Sequence, residues 1–108
     1  MDTLVKASPM LDITLKKSTR PKKKFMVKVE NKTIHFGQKG ASDFTINKDP
    51  ERKKRYIDRH SSSGKEDWTK SGIKTAGFWS KHLLWNKDTL TASIKDTEKN
   101  FNVDIKYG

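Results

Sequence analysis

Two sets of cationic side chains carry the clearest chemical potential in this sequence. Lys16, Lys17, Arg20, Lys22, Lys23 and Lys24 place six positive charges within nine residues, interrupted by Pro21. Further along, Arg52, Arg55 and Arg59 recur at i, i+3 and i+7, which puts them on one face of a helix. Guanidinium groups make bidentate contacts to phosphate or guanine, and ammonium groups supply compact positive charge. Both sets suit a phosphate-bearing polymer, and neutralising about six phosphates would give a log–log salt slope near −5. The competing readings are a solvated loop for the first set and an exposed helix face for the second. On that face Glu51–Arg55 and Arg55–Asp58 ion pairs would contribute little.

The remaining candidates are weaker. Trp68, Trp79 and Trp85 could stack bases, but Trp79 and Trp85, with Phe78 and Leu83, follow the spacing of a packed helix. Trp68, beside Glu66, Asp67 and Lys70, is the best surface aromatic, expected to anchor its loop to the body. His35, His60 and His82, with Asp43 and Asp49, are the residue types of a phosphodiesterase, which needs metal-binding carboxylates or a histidine base. Their spacing matches no H-E-x-x-H or paired-carboxylate pattern, and Gly37-Gln38-Lys39-Gly40 lacks the G-K-[ST] of a phosphate-binding loop. His35, on a strand beside the basic run, is the one to watch. Ser61-Ser62-Ser63 reads as linker rather than nucleophile. No catalytic residue, metal or cofactor is expected.

The elements must position these groups with little apolar material. The chain has 108 residues, and Leu, Ile, Val and Phe total 22, about 20%. That is enough for one small core and no large cofactor cavity. The net charge of +11 is asymmetric: residues 1–60 hold 16 basic and 7 acidic side chains, residues 61–108 hold 8 and 6. Such a pole predicts a polyanionic partner, nucleic acid first. Cysteine is absent, which excludes disulfides, thiolate zinc sites and cysteine nucleophiles and favours a reducing compartment. No apolar run approaches the ~18 residues of a membrane span, and no signal peptide is expected.

Periodicity divides the chain into a flexible tail over 1–10 and a single small basic α+β domain over 11–108. Leu11, Ile13 and Leu15 alternate as a short strand, and 16–24 reads as an exposed loop. Phe25, Val27, Val29, Ile34 and Phe36 share the buried face of a hairpin turning near Asn31, with His35 on the opposite face. Asp49-Pro50-Glu51 starts a helix to about His60. Thr75 caps a helix through about Trp85, and Asp88 or Thr89 caps another carrying Leu90, Ile94, Thr97 and Phe101. Val103, Ile105 and Tyr107 alternate as a last strand. The expected fold is a small antiparallel sheet, hairpin plus terminal strands, with two or three short helices on one face.

The wording of the chain is also distinctive. Lys17-Ser18-Thr19-Arg20-Pro21, Lys24-Phe25-Met26-Val27-Lys28-Val29 and Lys32-Thr33-Ile34-His35-Phe36-Gly37 resemble a family of small basic proteins of nucleocytoplasmic large DNA viruses, of mimivirus, phycodnavirus and iridovirus type. So do Lys48-Asp49-Pro50-Glu51-Arg52-Lys53, Arg55-Tyr56-Ile57, Arg59-His60, the stretch from Trp68 to Ser80, and Leu83-Leu84-Trp85-Asn86-Lys87. The resemblance covers roughly residues 15–95 and departs at His82, where an aromatic residue is expected. It implies a viral source, in the virion or in the host cytoplasm or viral factory rather than secreted, and no established activity.

The function expected is therefore sequence-tolerant binding of nucleic acid, DNA before RNA, in association with the virion or its genome. Lys16, Lys17, Arg20, Lys22, Lys23, Lys24, Arg52, Arg55 and Arg59 would contact phosphates. A minor capsid or core protein that buries its Trp/Leu helix against other virion proteins is the alternative. A small metal-dependent nuclease ranks third.

Overall fold

Alternation of apolar and polar residues builds a one-sided sheet. In this computed structural model residues 11–62 and 66–108 are described, so the tail expected over 1–10 lies outside the described residues. Strands β1 (Leu11–Lys17), β2 (Lys23–Val29), β3 (Lys32–Gln38) and β4 (Val103–Tyr107) form one sheet in the order β3-β2-β1-β4. Ile13, Leu15, Val27, Val29, Ile34, Phe36, Val103 and Ile105 point to one face and are buried. Thr14, Lys16, Lys28, Thr33 and Lys106 are exposed on the other.

Two expectations change here. The basic run is not a free loop: Lys16 and Lys17 end β1, Lys23 and Lys24 begin β2, and only 18–22 turn. Pairing of Lys17 with Phe25 and the Ser18 N–H to Lys24 carbonyl bond (3.1 Å) hold it as a hairpin. The second hairpin turns at Glu30–Asn31, as expected, with Glu30 in the left-handed backbone at φ 54°. The α+β class holds with helices on one face, but the sheet is mixed, because β4 runs parallel to β1. Its direction is inherited from the preceding helix: Asn102, at φ 54°, turns the chain straight from that helix into Val103.

Local capping sets the helices. The Asp49 carboxylate accepts from the Glu51 N–H (3.0 Å) and opens α2 (Pro50–Ser62), preceded by a one-turn α1 (Phe44–Asn47) that periodicity did not reveal. Thr75 caps α3 (Ala76–Trp79), its hydroxyl accepting from Phe78 N–H. The same helix widens into a π-turn over Ser80–Leu84, closed by Trp85 N–H on the Ser80 carbonyl at 3.1 Å. Thr89 caps α4 (Leu90–Phe101) by accepting from Ala92 N–H at 3.1 Å. A capping hydroxyl of this kind contributes about 1 kcal/mol.

Phe78, Trp79, Leu83 and Leu84 lie between sheet and α4. Trp79 is fully buried, and its indole N–H donates to the Ile73 carbonyl at 2.7 Å. The buried polar groups are paired: Thr97 donates to the Ser93 carbonyl (2.8 Å), and the Ser93 hydroxyl accepts from Lys87 N–H (3.0 Å). His82 takes an aromatic position, its ring 4.5 Å from Phe78 and 4.7 Å from Phe101. It is buried, with Nε2 2.8 Å from the Trp68 carbonyl, so Nε2 carries the proton and donates.

Burial holds the His82 pKa below the ordinary histidine value. The unfolded ring therefore gains its proton first, and the stabilisation tied to the neutral ring is lost as pH falls through about 6.5. Urea unfolding of the wild type should weaken more between about pH 7.5 and pH 5 than that of His82→Phe, which keeps the ring packing without the titration. Equal losses in both proteins would contradict this.

Candidate nucleic-acid interface

The two cationic elements are joined by the segment between β3 and α2. Gly37 and Gly40 take φ of 77° and 88°, turning the chain off the sheet toward Asp43. A Cβ on Gly37 would sit 2.8 Å from Leu84 Cδ1, so a side chain there would have to shift the Leu84 methyl as well as adopt a strained φ. Lys24 Nζ then donates to Asp43 Oδ2 and to the Ala41 carbonyl, each at 2.5 Å. The other oxygen of Asp43 accepts from Thr45 N–H (2.9 Å) and from the Thr45 hydroxyl, which caps α1. Lys53 Nζ donates to the Asn86 carbonyl (2.6 Å) and lies 5.0 Å from the Phe44 ring centre, tying α2 to α1 and to the π-turn exit.

This arrangement leaves three adjoining clefts. The first, of about 450 Å³, is lined by Lys17, Lys23, Lys39, Phe25 and Ile46, among others. It shares Lys23, Lys24 and Asp43 with a second of about 440 Å³, which reaches Arg59, Tyr56 and Trp85. The third, of about 370 Å³, shares Tyr56, Arg59 and Trp85 with the second and adds Arg52 and Arg55. Aromatic rings form the wall. Tyr56 stacks on Trp85 at 4.6 Å and 8°, with His60 4.1 Å away, and the His60 Nδ1 meets the Glu66 carboxylate. Burial, with the Glu66 charge adding, pushes the Tyr56 phenol up to about 12.

The nine expected phosphate contacts fall into four groups. Lys17, Lys23, Arg52, Arg55 and Arg59 line the clefts. Lys24 reaches them too, but its ammonium is committed to Asp43, with side-chain exposures of 14% and 3%. Arg20 and Lys22 sit in the exposed hairpin turn. Lys16 faces the opposite, open side of the sheet, beside Thr14, Met26, Lys28 and Thr33. On α2, Asp58 pairs with Lys54 (2.7 Å) rather than with Arg55, and Glu51 approaches Arg55 only to 4.0 Å with both side chains exposed. Such exposed pairs leave the arginines available.

Sequence reasoning missed Lys39, Tyr56 and Trp85 as groove residues. Lys39 carried a signal, since it sits between two glycines, but the comparison with a phosphate loop discarded it. The Tyr56–Trp85 stack joins residues far apart in sequence and left no local trace. Trp68 does anchor its loop: it is half-buried, its carbonyl accepts from His82, and Lys81 Nζ lies 5.7 Å from its ring centre. Of the histidines and carboxylates weighed for a hydrolase site, Asp43 and His60 line the same cleft, together with Glu66. His35 bonds Ser18, His60 meets Glu66, His82 is in the core, Asp43 holds Lys24, and Asp49 caps α2. Among the described residues no group of three or more potential ligands could hold a metal ion. Among them also, no helix is long and apolar enough to cross a membrane.

Because Lys24 is structural, its replacement should act on folding. Lys24→Met leaves the Asp43 carboxylate buried without its cation and should cost about 2–4 kcal/mol in urea unfolding. Lys23→Met should cost less than about 0.5 kcal/mol. Comparable losses from the two would refute this division.

Residues 13–60 match a family of unknown function (DUF5754). That span runs from β1 through nearly all of α2, so it holds both cationic elements and the Lys24–Asp43 pair that joins them, and stops short of the tryptophans. No curated protein matches the chain, and no solved structure does.

Proposed function

We propose that the protein binds nucleic acid through its phosphates, with little sequence preference. The observation that carries this reading is the groove in which Lys17, Lys23 and Lys39 from the sheet side meet Arg59, Arg55 and Arg52 from α2. Groups scattered over 43 residues of sequence converge there, and the sign of the groove matches the asymmetric +11 charge. The sequence carries no helix-turn-helix, RRM or zinc-finger signature of the kind that reads base edges, so backbone charge is proposed to dominate. The resemblance to proteins of large DNA viruses favours DNA and a genome-associated role. Of the apolar helix that motivated a capsid role, Phe78, Trp79, Leu83 and Leu84 are buried in the chain's own core, and Trp85 stacks on Tyr56. Ile46 and Tyr107 are the large hydrophobic side chains left exposed among the described residues.

Fluorescence anisotropy with a labelled random-sequence duplex and single strand tests this. Binding should be micromolar at ~150 mM salt with a log–log salt slope near −5, from about six phosphates. Reversing Arg52, Arg55 and Arg59 to Glu should flatten the slope by about 3, whereas Lys16→Glu and Lys28→Glu, on the open sheet face, should change it by less than about 1 each. No binding even at ~50 mM salt would refute the reading.

A further inference from the structure

The hairpin turn holds a second chemical arrangement, which meets the first cleft at Ser18 and reaches across to the other face of the sheet at His35. Ser18 Oγ lies 2.7 Å from His35 Nδ1. The Arg20 backbone N–H donates to the same oxygen at 2.9 Å, so one lone pair of Ser18 is already taken. His35 sits on the open face of β3, half-buried, with Met26 of β2 beside it and Lys16 of β1 beyond in the same cross-strand row. The charges acting on it are Arg20 and Lys23, both cationic. Two cations beside a neutral ring lower its affinity for a proton, and an anion bound among them would restore it.

We propose that Ser18, His35 and Arg20 form a phosphate subsite that takes up one proton when it is filled. In the empty site the Ser18 hydroxyl donates to Nδ1, and Nε2 carries the proton of the neutral ring. An arriving phosphate offsets the Arg20 and Lys23 charges and stabilises the imidazolium. The proton, drawn from solvent, enters at Nδ1, which then donates to Ser18 Oγ. With both lone pairs occupied, by Arg20 N–H and by Nδ1–H, Ser18 turns its own hydrogen outward onto a phosphate oxygen. No covalent bond to phosphorus forms or breaks. Partial burial first, then Arg20 and Lys23, hold the empty ring's pKa below the ordinary value, which leaves room for this uptake. For nucleic acid the subsite rests on the phosphate-binding reading above, and it extends the footprint from the groove to the hairpin tip.

The test is paired. Affinity for the labelled single strand at fixed salt should rise between about pH 7.5 and pH 5.5, by up to about tenfold for each unit by which binding raises the ring's pKa. His35→Gln and Ser18→Ala, checked for folding by circular dichroism, should lose most of that rise, while His60 stays in every variant so that its contribution cancels. Separately, NMR titration of the His35 ring should show its pKa raised by inorganic pyrophosphate in the wild type and not in Ser18→Ala. Binding that strengthens equally in His35→Gln, or does not strengthen in the wild type, overturns the proposal for nucleic acid. If no oligonucleotide binds at any pH while pyrophosphate still raises the His35 pKa, the function reading falls and the subsite stands for free phosphate. An unmoved His35 pKa in the presence of pyrophosphate overturns the subsite itself.

Discussion

The ion pair between Lys24 and Asp43 is the contact on which the cationic groove depends. It joins the start of β2 to the residue that caps α1, and nearly the whole pair is withdrawn from water. Desolvating two charges is costly, and such a pair stabilises only when further hydrogen bonds complete it. Here the Ala41 carbonyl takes a second ammonium proton, and Thr45 donates twice to the carboxylate. The consequence is positional. With 41–43 held against β2, α2 starts where its arginines continue the line of lysines from the sheet. The lysine sacrificed to this joint is lost as a phosphate ligand, while Lys17, Lys23 and Lys39 remain beside it.

The rest of the fold supports this with a modest apolar supply. Among the described residues only one face of the sheet is covered, by a core of Ile, Leu and Val with Phe36, Phe78 and Trp79 set among them. Phe78 packs edge-on against Trp79 and Phe101, at 4.9 and 5.0 Å, and His82 completes that cluster. Aromatic pairs of this geometry add about 0.5–1.5 kcal/mol beyond area burial. The π-turn suits the same end, since one extra residue in the helix turn lets both Leu83 and Leu84 face the core and leaves Trp85 directed at Tyr56. On the outer edge of β4, the Glu98 carboxylate accepts from the Ile105 N–H at 2.9 Å, which occupies a ladder donor that would otherwise template pairing with another strand.

What could be read from the chain follows from the range of the interactions. Asp49, Thr75 and Thr89 act on N–H groups two or three residues away, so those helix starts were legible. The alternation at Leu11, Ile13 and Leu15 and at Val103 and Ile105 correctly assigned faces. Alternation says nothing of direction, so the parallel pairing of β4 with β1 was hidden until Asn102 showed how the chain turns. Lys22, Lys23 and Lys24 are one residue type in a row, and nothing local separates the ion-paired member from its neighbours. The difference is made by Asp43, 19 residues on. The groove itself was half legible: both cationic elements were visible, while their meeting depended on that pair and on two glycines with positive φ.

The central claim is spatial, that sheet lysines and helix arginines make one binding surface. Backbone NMR of the labelled protein, titrated with a short random-sequence oligonucleotide, addresses it most directly. The account predicts that amide shifts cluster at Lys17, Lys23, Lys39 and along Arg52–Arg59, with a smaller set at Ser18 and His35. Shifts concentrated instead on Thr14, Lys28, Thr33 and Lys106 would put the partner on the open sheet face and contradict it.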